Sequence, residues 1–166
     1  MLADNMADKE GLEACIKAKE EGHDVYVETC PQYLEFTCDV YKREDGRNFV
    51  CSPPMKGKES LDALWKALKA GFIDTVATDH CPFQSYEKDW GKDNYTKIPN
   101  GCAGVENLYP YMLDSANAGK IPFEKVVEVC STNVAKIFGC DNKGAIAIGK
   151  DADIVLTNKV LITKEH

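Results

Sequence analysis

Residues 74–83 have the sequence DTVATDHCPF, and the interpretation of the whole chain depends on them. A short apolar segment ends in Asp79 and His80, and Pro82 then stops regular structure. In α/β enzymes, reactive side chains collect at the carboxyl ends of buried strands. We therefore predict a strand over 76–79 that holds Asp79 at its functional end.

Helical and strand-like segments alternate around this stretch. A helix capped by Asp8 ends at Gly22, residues 24–29 have strand composition, and an amphipathic helix opens at Glu59 and stops at Gly71. The other predicted elements are a brief strand at 49–51, a long polar loop at 84–101, helices at 105–113 and 122–130, a short helix capped by Ser131 or Thr132, and strands in 144–149 and 152–156. This alternation predicts an α/β fold. Two strong core strands are too few for a complete buried sheet, so we expect the chain to be part of a larger unit.

Composition excludes several classes of function. The net charge of −7 disfavours nucleic acid and anionic membrane surfaces as partners, and no apolar run approaches the ~18 residues of a membrane span. The eight cysteines include no C-x-x-C pair. We interpret them as reduced thiols of a cytoplasmic protein, with a disulfide framework as the alternative.

Asp79 is the sharpest candidate for chemistry. A carboxylate at a strand end can ligate a metal and accept a proton from bound water, although a capping or turn aspartate is the simpler alternative. Successive strand side chains point to opposite faces, so His80 is expected to have a supporting or structural role. With only His23 and His166 besides it, and no H-x-H or H-E-x-x-H, the chain cannot build a metal site from local partners.

Two further positions could contact a ligand. Ser52 precedes two prolines in an extended segment without a G-x-S-x-G frame, which suits ligand contact better than nucleophilic attack. Asn100 and Gly101 form a tight-turn signal that could also present backbone groups to a polar substrate. An ordinary turn remains the alternative at both positions.

Several stretches together resemble the dihydropyrimidinase/hydantoinase group of cyclic amidohydrolases. They are VETCPQYL at 27–34, CSPPMK at 51–56, TDHCPF at 78–83, KDNYTKIPNG at 92–101, STNVAKIFG at 131–139 and KGAIAIGKDADIV at 143–155. The resemblance covers nearly the whole chain. Thr-Asp-His alone would indicate only the wider amidohydrolase superfamily, whereas the combination is specific.

The resemblance implies a (β/α)8 barrel with a two-metal site, usually zinc, and a small β-sandwich. It implies that residues 1–139 belong to the C-terminal part of the barrel and residues 140–166 to the sandwich. Asp79 matches the aspartate that ligates one metal and moves a proton from the hydroxide nucleophile to the leaving amide nitrogen. Ser52 and Asn100 match positions whose backbone groups hold the cyclic imide ring.

The family's other metal ligands are an H-x-H pair, a carboxylated lysine and two further histidines, and they are expected upstream of Met1. The chain should then be the last third of an enzyme that opens dihydropyrimidines or hydantoins to N-carbamoyl amino acids, and it should be inactive alone. The family often forms homotetramers. The alternatives are a non-catalytic scaffold on the same fold, which has no need of Asp79, and a dihydroorotase or allantoinase relative.

Overall fold

A computed structural model describes residues 1–157 of the chain. Three parallel strands form one sheet in chain order: β1 (Leu2–Ala3), β2 (Tyr26–Thr29) and β3 (Thr75–Val76). Leu2 pairs with Tyr26, and Glu28 pairs with Thr75. Parallel neighbours require crossover connections, and helices supply both of them here. The α/β prediction is confirmed.

The first crossover is helix α1 (Lys9–Glu20), which begins where the sequence predicts. The Asp8 carboxylate accepts a hydrogen bond of 2.7 Å from the Gly11 amide, which satisfies one of the helix's free N–H groups. Leu12 is buried against the sheet side of the core. The Asp8 cap is therefore confirmed.

The second crossover is longer. It contains α2 (Pro31–Glu35), two 3-10 turns (Cys38–Lys42 and Gly46–Phe49) and α3 (Lys58–Ala70). The α3 helix ends at Gly71 in the left-handed conformation, with φ of 85°, as predicted. The brief strand predicted at 49–51 is wrong, because the Val50 carbonyl accepts hydrogen bonds from a later loop and from Lys88.

After β3 the chain is mostly helical. The elements are α4 (Ser85–Lys88), 3-10 turns at Asp89–Gly91 and Tyr95–Lys97, α5 (Leu108–Asn117), α6 (Phe123–Val127), a π-helical turn (Glu128–Thr132) and α7 (Asn133–Ile137). The cap predicted at Ser131 or Thr132 is wrong. Thr132 has helical angles, with φ of −63° and ψ of −49°, so one helix continues through the π turn.

The core lies between the sheet and the helices that connect and follow its strands. Its fully enclosed side chains include Val27, Leu64, Leu68, Met112, Val126 and Val129. Helix-face residues of α3, α5 and α6 thus meet the central strand β2 in one cluster. Among the described residues, no helix has both the length and the apolar character needed to cross a bilayer.

The segment 140–157 differs from its prediction. No strand forms within this part of the described chain, and Ile146, Ile148 and Leu156 are exposed. A strand needs a neighbouring strand for its N–H and C=O groups, and the sheet formed within residues 1–157 contains only β1, β2 and β3. The two strands expected there are wrong for the described residues, while residues 158–166 lie outside them. The boundary between 139 and 140 stays a prediction.

Candidate active site

Asp79 lies in the loop that follows β3. The Ala77 amide still bonds to the Thr29 carbonyl at 3.0 Å, but the predicted strand is shorter than 76–79 because the chain turns before the acid. Asp79 has φ of 45°, a left-handed backbone that side-chain-bearing residues seldom adopt. Its side chain is exposed. The carboxylate is therefore presented at the carboxyl end of the sheet by a local backbone turn.

The charge of Asp79 acts on groups at the end of the neighbouring strand. Burial raises the pKa of the Cys30 thiol, and the Asp79 carboxylate raises it further. Burial likewise raises the pKa of the Tyr33 phenol, with a smaller contribution from Asp79. Cys30 and Tyr33 directly follow β2, so Asp79 faces the same edge of the sheet. This edge is where parallel α/β sheets hold their functional groups.

His80 has a structural role in this loop. Its Nδ1 accepts hydrogen bonds from the amides of Gly104 at 3.0 Å and Val105 at 3.2 Å. Its backbone pairs in parallel with Cys102. An Nδ1 that accepts two N–H groups carries no proton. This geometry agrees with the supporting or structural role expected for His80. The same contacts connect residues 79–81 to residues 102–105.

Ser52 and Asn100 come together in two adjoining loops. The Gly101 amide donates to the Val50 carbonyl at 3.0 Å, which joins the segment before Ser52 to the residue after Asn100. Both side chains are exposed. Within residues 1–157, the backbone groups of Ser52 and Asn100 have no hydrogen-bond partner. Free backbone groups beside an exposed acid are suited to binding a polar ring.

Gly101 allows these loops to meet the Asp79 loop. Its φ of 153° is unfavourable for residues with side chains, and a Cβ there would lie 2.4 Å from the Cys81 carbonyl oxygen. The Cys81 amide donates to the Cys102 carbonyl at 3.1 Å. The loops of Ser52, Asp79 and Asn100 therefore form one cluster. The sequence placed these three residues in separate segments, and the fold brings those segments together.

Lys88 is the residue that sequence reasoning missed. Its ammonium group donates to the carbonyls of Val50 at 2.8 Å, Pro99 at 2.5 Å and Gly101 at 2.8 Å. The residue is only 2 % exposed, and burial lowers the pKa of its amine. Lys88 lies in the polar segment 84–101, which has no periodicity, so no sequence pattern distinguishes it from neighbouring exposed lysines.

Two thiols adjoin this lysine. Cys51 and Cys102 share a hydrogen bond, which lowers the pKa of Cys102 to about 7 with the help of the Lys88 ammonium and raises the pKa of Cys51. Cys51 also donates to the Pro53 carbonyl at 3.2 Å, and the Tyr33 hydroxyl donates to the same oxygen at 3.0 Å. All eight cysteines of the chain are free thiols. The interior of the cluster is therefore polar but largely closed to water.

The described residues do not form a complete metal site. No group of three or more His, Cys, Asp or Glu side chains within 1–157 is arranged to hold an ion. A catalytic metal generally needs at least three protein ligands, and Asp79 is one carboxylate. Asp79 is the residue of this chain that we predict to be a metal ligand, and that role stays a prediction.

Comparison with known proteins identifies relatives of this arrangement. The Amidohydrolase family model matches residues 23–165. The D-hydantoinase of Ralstonia pickettii is 40% identical over 153 residues, which cover 89% of this chain and 33% of that protein. The D-phenylhydantoinase of Escherichia coli O1:K1 / APEC is 39% identical over 149 residues, covering 88% of this chain and 32% of that protein. The chain thus spans about a third of the length of these relatives.

Solved structures show the same relationship. The dihydropyrimidinase of Brevibacillus agri NCHU1002 superimposes with a TM-score of 0.87 at 39% identity, over 91% of this chain and 34% of that one. A dihydroorotase of Saccharomyces cerevisiae matches with a TM-score of 0.70 at 16% identity, over 83% of this chain and 38% of that one, and so shares the fold alone. The resemblance to the hydantoinase group and to its barrel fold is confirmed. With the family model matching most of its length, the chain belongs to the amidohydrolase family.

Proposed function

We propose that this chain is the segment of a metal-dependent cyclic amidohydrolase that supplies an aspartate and part of the substrate-binding wall. The observation that carries the proposal is the convergence of the Asp79 loop with the loops of Ser52 and Asn100 at the carboxyl end of a parallel sheet. A carboxylate beside unpaired backbone groups fits a reaction in which a cyclic amide is held and a proton is transferred. Hydantoinase and dihydropyrimidinase relatives at about 40% identity support this reaction class.

Each residue has a separate task in this proposal. Asp79 is the metal ligand and proton carrier: its carboxylate accepts a proton from the attacking water and delivers it to the leaving amide nitrogen. The backbone groups of Ser52 and Asn100 hydrogen-bond the polar edge of the ring and orient its amide bond. Asp79 would be this chain's ligand to a metal, which we propose is a zinc pair, and the metal would supply polarisation of the amide and activation of water. Members of this family are metal-dependent.

The rest of the site must come from outside these residues. We propose that the chain corresponds to the C-terminal third of the enzyme, with 1–139 in the barrel and 140–166 in a small sandwich domain. The other metal ligands then lie upstream. The substrates are dihydropyrimidines or hydantoins, opened to N-carbamoyl amino acids, and the assembled enzyme is a cytoplasmic homotetramer. Identity of about 40% to hydantoinases favours this over a dihydroorotase, which shares only the fold at 16%.

Complementation tests the proposal. The chain is mixed with a separately produced upstream part carrying an H-x-H pair and the carboxylatable lysine, and zinc is added. Opening of the dihydrouracil and hydantoin rings is measured as the loss of their absorbance. We expect activity from the mixture and none from either part alone. A mixture that assembles and binds zinc but opens neither ring would refute the enzyme and favour the scaffold.

A further inference from the structure

Lys88 connects every segment of the candidate site. Its ammonium group donates to the Val50 carbonyl, two residues before Ser52, and to the Pro99 and Gly101 carbonyls on both sides of Asn100. The same nitrogen lies 5.3 Å from the ring centre of Phe83, in the segment that follows the Asp79 loop. A lysine has three N–H donors, and three carbonyls occupy them. The position of the ammonium is therefore fixed by the two ligand-facing loops.

A stability role alone accounts poorly for a lysine here. Burying an ammonium group costs several kcal/mol unless it is well compensated. No carboxylate among residues 1–157 forms an ion pair with Lys88, whose polar neighbours are carbonyls and the thiols of Cys51, Cys81 and Cys102. An apolar side chain could fill this space without burying a charge, but the Pro99 and Gly101 carbonyls would then lack their donor. Retaining the charge is reasonable if the three carbonyls have to be held at set positions.

The geometry that the lysine imposes matters for binding. The Val50 carbonyl accepts from both Lys88 and the Gly101 amide, so the two loops share one hydrogen-bonding centre. The unpaired backbone groups of Ser52 and Asn100 lie directly beside this centre in sequence. Binding groups have to be held within about 0.5 Å to be productive. Removing the ammonium would leave the Pro99 and Gly101 carbonyls without a donor and only the bond from the Gly101 amide to the Val50 carbonyl between the two loops.

We propose that Lys88 is a positioning residue: its ammonium group fixes the separation of the Ser52 and Asn100 loops and thereby sets the affinity of the site for a cyclic amide. The spacing of the two loops follows from the hydrogen-bond geometry alone, whereas the effect on affinity rests on the proposed function. Two separate measurements test the spacing and the affinity.

The first measurement is made on the 166-residue chain without substrate. In protein labelled with ¹³C and ¹⁵N, the Lys88 ammonium should give a proton resonance protected from water exchange, with scalar coupling to the carbonyl carbons of Val50, Pro99 and Gly101. In Lys88→Met, the amide resonances of 50–53 and 99–102 should shift, whereas the exposed Lys92→Met should leave them in place. An exchange-broadened Lys88 ammonium without these couplings would overturn the proposal, and this result does not require any variant to fold.

The second measurement is kinetic and uses the complemented enzyme. For Lys88→Met we expect KM to rise by about tenfold or more with kcat within about threefold, because uniform binding is lost while the chemistry is retained. A purely structural lysine would instead lower the active fraction, reducing kcat with KM unchanged, and that outcome would refute positioning. Lys88→Gln, which retains amide donors, replaces the methionine variant if that fails to fold, and Lys92→Met is the control. If the wild-type mixture is inactive but the Lys88 couplings are present, the proposed function is refuted. The role of Lys88 in fixing the separation of the Ser52 and Asn100 loops is then retained.

Discussion

Asp79 adopts an unusual backbone conformation at the end of β3. Its φ of 45° turns the chain immediately after the sheet, and of the described residues with side chains only Asn5 shares a positive φ. Asp and Asn tolerate this region better than other residues because their short polar groups bond locally. Such strain often persists at functional sites, where surrounding structure holds it. The observed backbone thus agrees with the chemical role proposed for the acid.

Gly101 offers a residue-scale test of how the loops converge. Gly101→Ala would place a Cβ 2.4 Å from the Cys81 carbonyl and require an unfavourable φ of 153°. Relief requires a backbone shift, so we expect the free energy of unfolding to fall by about 1–3 kcal/mol in urea titrations. Gly104→Ala is the matched control, since its Cβ would meet Thr78 at an ordinary 3.5 Å. Equal stability of the two variants would show that the Cys81 carbonyl oxygen does not approach Gly101 this closely.

At this scale the sequence predicts some residues of the candidate site better than others. Asp79 could be singled out because a short apolar stretch of sequence ends at it, and a supporting role for His80 could be predicted because neighbouring residues of a strand point to opposite faces. Lys88 could not be predicted, because its burial depends on three carbonyls that approach from distant segments. The local sequence around Lys88 does not indicate contacts with distant segments. The roles of Ser52 and Asn100 remain predictions.

The secondary-structure elements follow local rules closely where those rules are strong. Helix α3 ends at Gly71 and α1 begins at Asp8, as capping preferences predict. The π turn between α6 and α7 could not be predicted from caps. The Asn133 side chain donates through Nδ2 to the Asp74 carbonyl at 2.9 Å, so a tertiary contact next to β3 holds the helix across the turn. Tertiary contacts therefore override the helix N-cap predicted at Ser131 or Thr132.

Substitutions of Asp8 test how its cap stabilises helix α1. Asp8→Ala removes the 2.7 Å bond to the Gly11 amide and should lower the free energy of unfolding by about 1 kcal/mol. Asp8→Asn retains a side-chain oxygen acceptor and should cost only a few tenths of that. Both are measured by urea titration followed by circular dichroism. A loss as large in the asparagine variant would mean that the charge, rather than the cap, stabilises the helix.

As a whole, the molecule is a sheet of three short strands with helices around it. A complete parallel barrel has no edges, whereas β1 and β3 are edge strands among residues 1–157. The predicted shortage of strands is thus observed in the described chain. The strands expected in 144–156 fail for a related reason: period-2 alternation in sequence does not supply the neighbour that a strand requires.

Exposed apolar side chains predict self-association of the chain. Ile146 is 88% and Ile148 108% exposed, two residues apart in the chain. Contiguous apolar surface promotes association, so the weight-average mass in sedimentation velocity should rise with concentration. Ile146→Lys/Ile148→Lys should reduce this rise, while Val105→Lys, at an isolated residue that is 65% exposed, should not. Undiminished association of the double variant would direct attention to the sheet edges instead.

The central claim is that Asp79 supplies this segment's catalytic carboxylate, and one comparison tests it directly. Dihydrouracil opening is measured with the complemented, zinc-loaded enzyme for wild type, Asp79→Asn and Asp93→Asn. An amide can neither ligate as a carboxylate does nor carry the proton, so Asp79→Asn should lose activity by about 10²–10⁴-fold. Asp93, an exposed acid of the loop 84–101, should be replaceable without loss. Wild-type activity in Asp79→Asn would contradict the account.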